Sequence, residues 1–481
     1  MKKKREKTSF EKLRASHPIV AKKVRKSLDD SVKEGAIASV SSSTGVSYFS
    51  PFVLAMNATS SQIGVLYALT NLIPSLVQLK APSLLGKYSR KKIVTTSLFF
   101  RILLWFPILL AGFLFYLGVP GMVWTSIILI GIAYGVTAIA FPVWFSWMGS
   151  LVPKEERGSY FSRRNRLVSL SGVLTLIFGA IILDASKRVG ALLGDVLGFT
   201  LLGFGILFLF AVISRIWSLR LLKKQYEPRL KIRKKDNFSF FDFIKKAPET
   251  PFGRFTLFRG VFSVALGISG PFWAVYMLRN LGFSYVWFMS VTVSVVVFQL
   301  IFLPLLGKFS DRFGNVRLMR LSSILIVLNP FLWFASSFIM DPAMVKIYLL
   351  LVPSLTSGFG WAGYNLATNN YIYDSVGPRK RSFGSSYLNL IVGLGIFAGA
   401  GIGSLIVGID FSIMDSILVT FLVSGIARLI VVMFGLKYLR EVRHVKKFSS
   451  EFFIREFEPV KGIVREVHHL NGLVKKVEHY I

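Results

Sequence analysis

Apart from the basic residues counted with the adjacent connections, three lie inside apolar segments long enough to cross a membrane, where a charge requires a partner or a function. They are Lys80, Arg101 and Arg428. An ionisable side chain inside a bilayer is costly, and it commonly marks a ligand site or an internal ion pair. Lys80 is near the predicted end of its helix, so its aliphatic stem can carry the ammonium group to the surface. For Arg101 and Arg428, binding of an anionic group and structural pairing are both open.

Hydroxyl, amide and aromatic side chains recur at spacings of three and four residues in four other apolar segments. This spacing places each group on one face of a helix. Such side chains can bind a neutral, amphipathic or anionic solute, and small hydroxyl residues also allow close helix packing. For each residue taken singly, binding and packing are both open. The candidate substrate-binding residues are Ser43, Ser47, Tyr134, Thr137, Trp273, Tyr276, Trp361, Tyr364 and Asn365.

Other kinds of chemistry are excluded by composition. The sequence contains no cysteine, which removes thiolate chemistry and disulfides. The five histidines are His17, His444, His468, His469 and His479. All of them lie outside the apolar segments, so we expect no metal, no cofactor and no catalytic residue. No Asp or Glu lies in the middle of a predicted membrane span, so proton coupling has no obvious carrier.

The elements that must position these residues are apolar helices. Hydrophobic residues make up 53% of the 481 positions, charged residues only 17%, and the mean hydropathy is +0.58. This balance is too apolar for a soluble protein of this length. The net charge of +34 would suit a nucleic-acid binder. Long apolar runs divide the basic residues into short clusters, however, so we expect no nucleic-acid partner.

Twelve segments are long enough to span a bilayer as helices, which predicts an all-α membrane protein of two six-helix bundles. The predicted spans are 35–56, 61–85, 93–116, 122–148, 167–183, 196–217, 255–278, 284–306, 318–338, 345–371, 385–408 and 413–436. The predicted regions are a basic cytoplasmic N-terminal tail (1–34), a first bundle (35–217), a basic linker (218–254), a second bundle (255–436) and an amphipathic C-terminal tail (437–481).

The distribution of Lys and Arg predicts the orientation. Of the 58 such residues, only Lys187, Arg188, Arg279 and Lys346 lie in the odd-numbered connections. Basic connections are retained on the cytoplasmic side, so we expect both termini in the cytoplasm. The expected location is the cell membrane, with an anionic inner leaflet as a partner of the basic regions.

The two halves resemble each other in sequence. At an offset of 221 residues, Gln78–Ser89 and Gln299–Ser310 are identical at seven of twelve positions. At an offset of about 224, Arg157 falls on Arg381. Duplicated six-helix units are common in transporters, where the solute site lies between the repeats.

A loop motif between the eighth and ninth spans points to a family. The sequence Gly307-Lys-Phe-Ser-Asp311-Arg312-Phe-Gly314 resembles the loop motif of the major facilitator superfamily. With the repeat and the topology, the resemblance covers residues 35–436. It implies a fold of two pseudo-symmetric six-helix bundles, with a central cavity lined by the first, fourth, seventh and tenth helices. The polar faces described above lie on those four helices.

In the family this loop is taken to stabilise one state of alternating access. Gly307 would allow two helices to approach closely, and Asp311 would pair with a basic residue or a helix N-terminus. The first half departs from the motif, because Arg90 stands at the position of the Asp and could pair with Asp374 or with Glu155 and Glu156 instead. The candidate gating residues are Gly86, Arg90, Arg157, Gly307, Asp311, Arg312, Asp374 and Arg381.

These observations predict secondary-active or facilitative transport of a small solute by a monomer. Two alternatives are a receptor or scaffold that retained the fold, and a membrane-embedded lipid-modifying enzyme. The enzyme requires convergent acid–base or metal-binding residues, and the sequence supplies no histidine for them. The identity of the solute, the direction of transport and the coupling ion are not determined by the sequence.

Overall fold

The computed structural model describes residues 18–80, 84, 87–152, 157–228, 240–377, 381–443 and 445, and these residues form helices and short connections without any strand. The helices of the first half are α1 (Pro18–Thr44), α2 (Phe49–Ala55), α3 (Ser60–Gln78), α4 (Arg90–Tyr116), α5 (Met122–Ala138), α6 (Ala140–Leu151), α7 (Arg157–Leu193) and α8 (Val196–Lys224). Those of the second half are α9 (Phe240–Lys246), α10 (Pro251–Ser269), α11 (Phe272–Val275), α12 (Tyr285–Phe313), α13 (Asn315–Ala335), α14 (Pro342–Ser375), α15 (Arg381–Val407) and α16 (Ser416–Gly435).

Ten helical segments in the described part of the chain are long and apolar enough to cross a membrane. They run from α4 onwards, with α5 continuing into α6 and α10 into α11. The broken helix α1–α2 and helix α3 precede them and pack into the first bundle. Together these elements are consistent with the predicted six helices per half.

Helix α1 begins well before its predicted start at residue 35. Its N-terminal part has a basic, exposed face, which is why the hydropathy of residues 18–34 suggested a tail. The other face is buried, however, with Ala21, Val24 and Leu28 at helical spacing and less than 10% exposed. These residues pack the helix against α7 and α8. Residues 18–34 therefore extend the first helix, a correction to the predicted tail.

The helix bundle has a basic end and an opposite end. The basic end carries Arg90 and Lys224, and the opposite end carries Tyr116 and Asp195. At the opposite end, side-chain caps define where helices begin. Thr59 and Gln62 form a capping box on α3, and Asp195 accepts a hydrogen bond from Gly198 N at the start of α8.

The two halves meet through α3 with α15 and through α7 with α12. Small residues allow α3 and α15 to approach closely, since a Cβ at Gly393 would lie 2.0 Å from Ser75 Oγ and one at Gly64 would lie 1.8 Å from Ser404 Oγ. Ser61 Oγ also donates to Ser404 O at 3.1 Å.

The buried apolar residues form two cores with different extents. One core includes the first half together with the opposite end of the second half, where Phe272, Phe288 and Phe421 belong to it. The other core lies at the basic end of the second half, and all of its buried members come from that half, including Phe255 and Phe309. Apolar packing therefore joins the halves at the opposite end, whereas their buried cores are separate at the basic end.

Candidate solute-binding site and gates

Two arginines of the first half lie near each other, and one of them contacts the C-terminal part of α1. Arg215 of α8 is only 6% exposed, and its guanidinium donates to Ser41 Oγ and Ala38 O, each at 3.3 Å. Arg101 of α4 lies close enough to Arg215 for electrostatic repulsion. The Nε of Arg101 is buried and has no hydrogen-bond acceptor among the described residues. An anion near these guanidinium groups would relieve their repulsion.

The second half contributes Arg428 of α16, which is 4% exposed. Its Nη1 donates to Ile326 O at 3.0 Å and its Nη2 donates to Ser269 Oγ at 2.7 Å. Both acceptors are uncharged, and Nε has none among the described residues. The guanidinium of Arg428 is therefore hydrogen-bonded, but these uncharged partners do not neutralise its positive charge.

Two tyrosines link the arginines across the interface between the halves. Tyr134 of α5 interacts electrostatically with Arg101 and with Tyr67 of α3. Tyr67 in turn interacts electrostatically with Arg428. Its ring packs against Gly270, since a Cβ built there would lie 2.8 Å from Tyr67 Cε1. Tyr67 is not among the residues predicted from the sequence, although Thr70, Asn71 and Ser75 follow it at helical spacing. Two phenol groups of the first half thus link Arg101 of the same half to Arg428 of the other half.

The carboxylates needed to balance these arginines are scarce. The sequence of α10 through α16 contains Asp or Glu only at Asp311, Asp341, Asp374, Asp410 and Asp415, all at helix ends or in connections. Arg259 of α10 also lies deep in this half, 5.0 Å above the ring of Tyr364. Buried charges without a partner are strongly unfavourable in a membrane, so an anionic ligand would stabilise this arrangement.

One carboxylate, Glu34, is buried within helix α1, which begins before the predicted span. Glu34 is 4% exposed and accepts a hydrogen bond from Ser218 Oγ at 2.8 Å. Arg164 Nη2 lies 3.5 Å from Glu34 Oε2, and the Arg164 guanidinium stacks 4.4 Å from the ring of Trp144. Glu34 was assigned to a helix end only because α1 had been started at residue 35. This group neutralises Arg164 and leaves Arg101, Arg259 and Arg428 unbalanced.

Two of the predicted substrate-path residues lie on a free face of α14. On this helix, Gly360 packs against α13, Gly358 against α12, and Tyr364 against Phe262 of α10. Trp361 and Asn365 occupy the face that remains, where Asn365 is exposed and Trp361 is half-buried. The Asn365 amide is therefore accessible on this face of α14, beside the partly buried indole of Trp361.

Other predicted residues make packing contacts. Trp273 stacks on Phe421 with ring centroids 4.2 Å apart, and Tyr276 Oη lies 3.0 Å from Ser336 Oγ, so both belong to the apolar core at the opposite end. Ser43 is buried against Gly172 of α7. Thr137 donates to carbonyls of its own helix. Ser47 is exposed in the short 3-10 segment between α1 and α2.

The opposite end is closed by polar contacts between the halves. Asp184 of α7 accepts hydrogen bonds from Tyr285 N at 2.8 Å and Val286 N at 3.0 Å, which begin helix α12. The negative carboxylate thus caps the positive N-terminus of a helix in the other half. Nearby, Arg279 Nη2 donates to Ala58 O at 2.6 Å.

At the basic end, Arg90 is the first residue of α4 and is 1% exposed. Its backbone N–H donates to Glu227 Oε1 at 2.6 Å, and its guanidinium donates to Ser150 Oγ and Pro228 O. Glu227 follows α8, so the segment after the sixth membrane helix folds back onto the third. The predicted pairing of Arg90 with Asp374 is therefore wrong, because a carboxylate of its own half occupies that role.

The second-half motif holds a related arrangement. Glu441, which follows α16, accepts a hydrogen bond from Val316 N near the start of α13 at 2.9 Å. Gly314 has φ of 98°, and a Cβ there would lie 2.3 Å from Glu441 Oε2. A residue other than glycine is thus excluded by both conformation and space.

The carboxylate that contacts the residues after this loop motif is Asp374 of α14 rather than Asp311. Asp374 Oδ2 accepts a hydrogen bond from Asn315 Nδ2 at 2.6 Å and lies 3.9 Å from Arg443 Nε. Asp311 and Arg312 are exposed. A Cβ at Gly307 would meet no atom within 4 Å in the described part of the chain, so the expected close helix approach at Gly307 is not found.

The remaining predicted residues are placed as follows. Lys80 lies two residues beyond the end of α3 and is exposed, which corrects its assignment as an intramembrane charge. The apolar run from Ala81 to Leu85 had extended the predicted span. Gly86, Glu155 and Glu156 lie outside the described residues, as do the side chains of Arg157 and Arg381.

Comparison with known proteins agrees with this architecture. The sequence of residues 255–467 matches the family model of the Major Facilitator Superfamily. No curated protein sequence matches the chain. The structure resembles a D-xylose-proton symporter (15% identity, 88% of this chain and 99% of that chain, TM-score 0.65). It also resembles a bacterial homologue of the iron transporter ferroportin in its inward-facing state (13%, 86% and 99%, TM-score 0.63) and a variant of the nucleoside transporter NupG (14%, 87% and 100%, TM-score 0.61).

The fold and the paired halves define a polytopic helical membrane protein of the transporter class. The sequence match covers the second half, and the structural match covers nearly all of both halves. The match of residues 255–467 to the Major Facilitator Superfamily, together with the transporter fold that the chain shares over nearly its whole length, supports transport of a small solute across a membrane.

Proposed function

We propose that the protein carries a small organic anion across the cell membrane by alternating access. The observation that supports this class of solute is the unbalanced positive charge of Arg101 and Arg428, which come from opposite halves and are linked through Tyr134 and Tyr67. A solute bound by both halves can couple their relative motion to its own release.

The surrounding side chains favour an organic rather than an inorganic anion. Tyr67, Tyr134 and Trp361 offer aromatic surfaces, and Asn365 offers an amide on the free face of α14. Guanidinium groups bind carboxylates and phosphates through charge-assisted hydrogen bonds, so the acidic group of the solute would lie at the arginines. The sugar, nucleoside and iron transporters above share the fold at 13–15% identity and do not define this solute.

The conformation is proposed to be inward-facing. The basic loops lie at the end where the buried cores of the two halves are separate, and those loops are expected in the cytoplasm. Asp184 and Arg279 close the end that would face outward. The intracellular placement of both termini and the plasma membrane location belong to the same proposal.

The test is a thermal-shift screen of purified protein with matched pairs of solutes. Each carboxylate, phosphate monoester or sulfonate is compared with the neutral ester, amide or alcohol of the same skeleton. We expect anions to raise the melting temperature and their neutral analogues to leave it unchanged. Solutes that stabilise the protein are then tested for counterflow uptake into proteoliposomes.

Variants of the two arginines make the test specific. Loss of a hydrogen bond to a charged group costs about 1.5–3 kcal/mol, so Arg101→Gln and Arg428→Gln are expected to weaken anion binding roughly tenfold to a hundredfold. Arg188→Gln, an exposed arginine at the opposite end, is the control. Stabilisation by neutral or cationic solutes alone, or full anion binding by both glutamine variants, would refute the proposed solute class.

A further inference from the structure

A groove on the outer surface of the first half combines positive charge with an apolar wall. It lies between α1 and α8 and has a volume of about 570 Å³, which is in the range of small-ligand sites. All of its lining residues belong to α1 and α8 of the first half, and none comes from the second half. The lining residues are Lys33, Ala36, Ile37, Trp217, Arg220, Leu221 and Lys224.

The basic residues of the groove are grouped so that one anion can contact all of them. Arg220 and Lys224 are four residues apart on α8 and therefore share a face, and Lys33 faces them from α1. None of the three forms an ion pair with a carboxylate in the described part of the chain. The neighbouring acid, Glu34, is turned inward and bonded to Ser218.

The apolar residues continue the groove away from the charges. Ala36 and Ile37 lie about one turn beyond Lys33, toward the middle of the bundle, and Leu221 lies beside Arg220 on α8. Trp217 is 58% exposed at the boundary between the two kinds of surface. Tryptophan at such a boundary is typical of the level where lipid head groups meet acyl chains.

We propose that this groove binds one anionic phospholipid of the basic-end leaflet. The lipid phosphate would be held by Lys33, Arg220 and Lys224, the glycerol region would lie beside Trp217, and the acyl chains would follow the apolar wall. Basic pockets between helices on the cytoplasmic side are suited to anionic head groups. This inference depends on the charge pattern of the groove and not on the proposed solute.

Binding there would also couple two helices of the first half. The groove spans α1 and α8 beside the hydrogen bond from Ser218 to Glu34, so a bound lipid would hold the same two helices together from outside. The lipid would thereby stabilise the first bundle, and stability provides a readout.

The test uses the full-length protein and phosphatidylglycerol, with phosphatidylcholine as the zwitterionic comparison. Native mass spectrometry counts retained lipid, and thermal unfolding in mixed micelles measures stabilisation. We expect one tightly retained phosphatidylglycerol and a higher melting temperature than in phosphatidylcholine. The triple variant Lys33→Gln, Arg220→Gln and Lys224→Gln is expected to bind phosphatidylglycerol about a hundredfold more weakly, since each basic residue contributes about a factor of five near an anionic surface.

A second triple variant is the matched control. Arg25→Gln, Lys26→Gln and Lys223→Gln remove three exposed charges from the same two helices but outside the groove. Equal loss of lipid in both triple variants, or equal retention of both lipids by the native protein, would overturn the site. Soluble glycerol phosphate that displaces the lipid or matches its stabilising effect would overturn the lipid as ligand. If the groove variant elutes as aggregate, Arg220→Gln and Lys224→Gln are measured singly by the same criteria.

Discussion

The carboxylate of Asp184 in the first half caps the helix that begins at Tyr285 in the second half. Its two oxygens accept hydrogen bonds from Tyr285 N and Val286 N at 2.8 and 3.0 Å. We expect this contact to break when the opposite end opens, because opening would separate α7 from α12. Asp184 thus stabilises one conformational state without touching the candidate solute site.

Asp184→Asn is expected to shift the protein toward the state that is open at the opposite end. Loss of two charge-assisted hydrogen bonds at a partly exposed position should shift the equilibrium by about 1–3 kcal/mol. The chain has no cysteine, so the paired labels Leu192→Cys and Ile413→Cys need no prior removal of native thiols. Both positions are exposed at that end, and the distance between spin labels should lengthen.

Asp195→Asn is the control for this experiment. Asp195 lies at the same end but bonds to Tyr116 and Gly198 within its own half. An unchanged distance distribution in the Asp184 variant, or the same shift in the control, would contradict the role assigned to Asp184.

Glu34→Gln is expected to destabilise the first bundle by about 3 kcal/mol, because it leaves Arg164 buried without a counter-charge. The double variant Glu34→Gln and Arg164→Gln should be less destabilised than the sum of the two single variants. Thermal unfolding in detergent provides the measurement, with exposed Asp29→Asn on the same helix as control. Strict additivity of the two single effects would show that the pair is not coupled.

Asp374→Ala is expected to lower stability by about 1–3 kcal/mol, whereas Asp311→Ala should change it by less than about 0.5 kcal/mol. Asp374 bonds to Asn315 and lies near Arg443, whereas Asp311 is exposed. Hydrogen exchange at the start of α13 should increase only in the Asp374 variant. A larger effect of the Asp311 variant would restore the role that the family motif implied for it.

Gly45→Ala is expected to destabilise the break between α1 and α2 by about 1–3 kcal/mol, since its Cβ would lie 2.4 Å from the ring of Trp105. Gly205→Ala is the matched control, because a Cβ there meets no atom within 4 Å and alanine favours the helix. We expect the melting temperature of the Gly45→Ala variant to fall clearly below that of the Gly205→Ala variant. A similar response of both variants would argue against close packing of α1 on Trp105.

The sequence indicates only some of the residues of the candidate site. Arg101 and Arg428 were recognisable because each is a single charge within an apolar run. Arg215 and Arg259 were not, since each lies near a run of other basic residues and was counted with the adjacent loop. Glu34 was missed because the exposed face of α1 is basic and hides the buried face that packs on α7 and α8.

The sequence by itself determined the helical membrane architecture, the resemblance between the two halves and the resemblance to a transporter family. These properties depend on hydropathy, on the spacing of apolar residues and on a local motif, and all three can be read along one chain. Only the tertiary structure decided which groups the charged side chains contact. Glu227 reaches Arg90, Glu441 reaches Val316, and Asp184 reaches Tyr285 across more than one hundred residues of chain, so their pairing depends on how the helices pack rather than on local spacing.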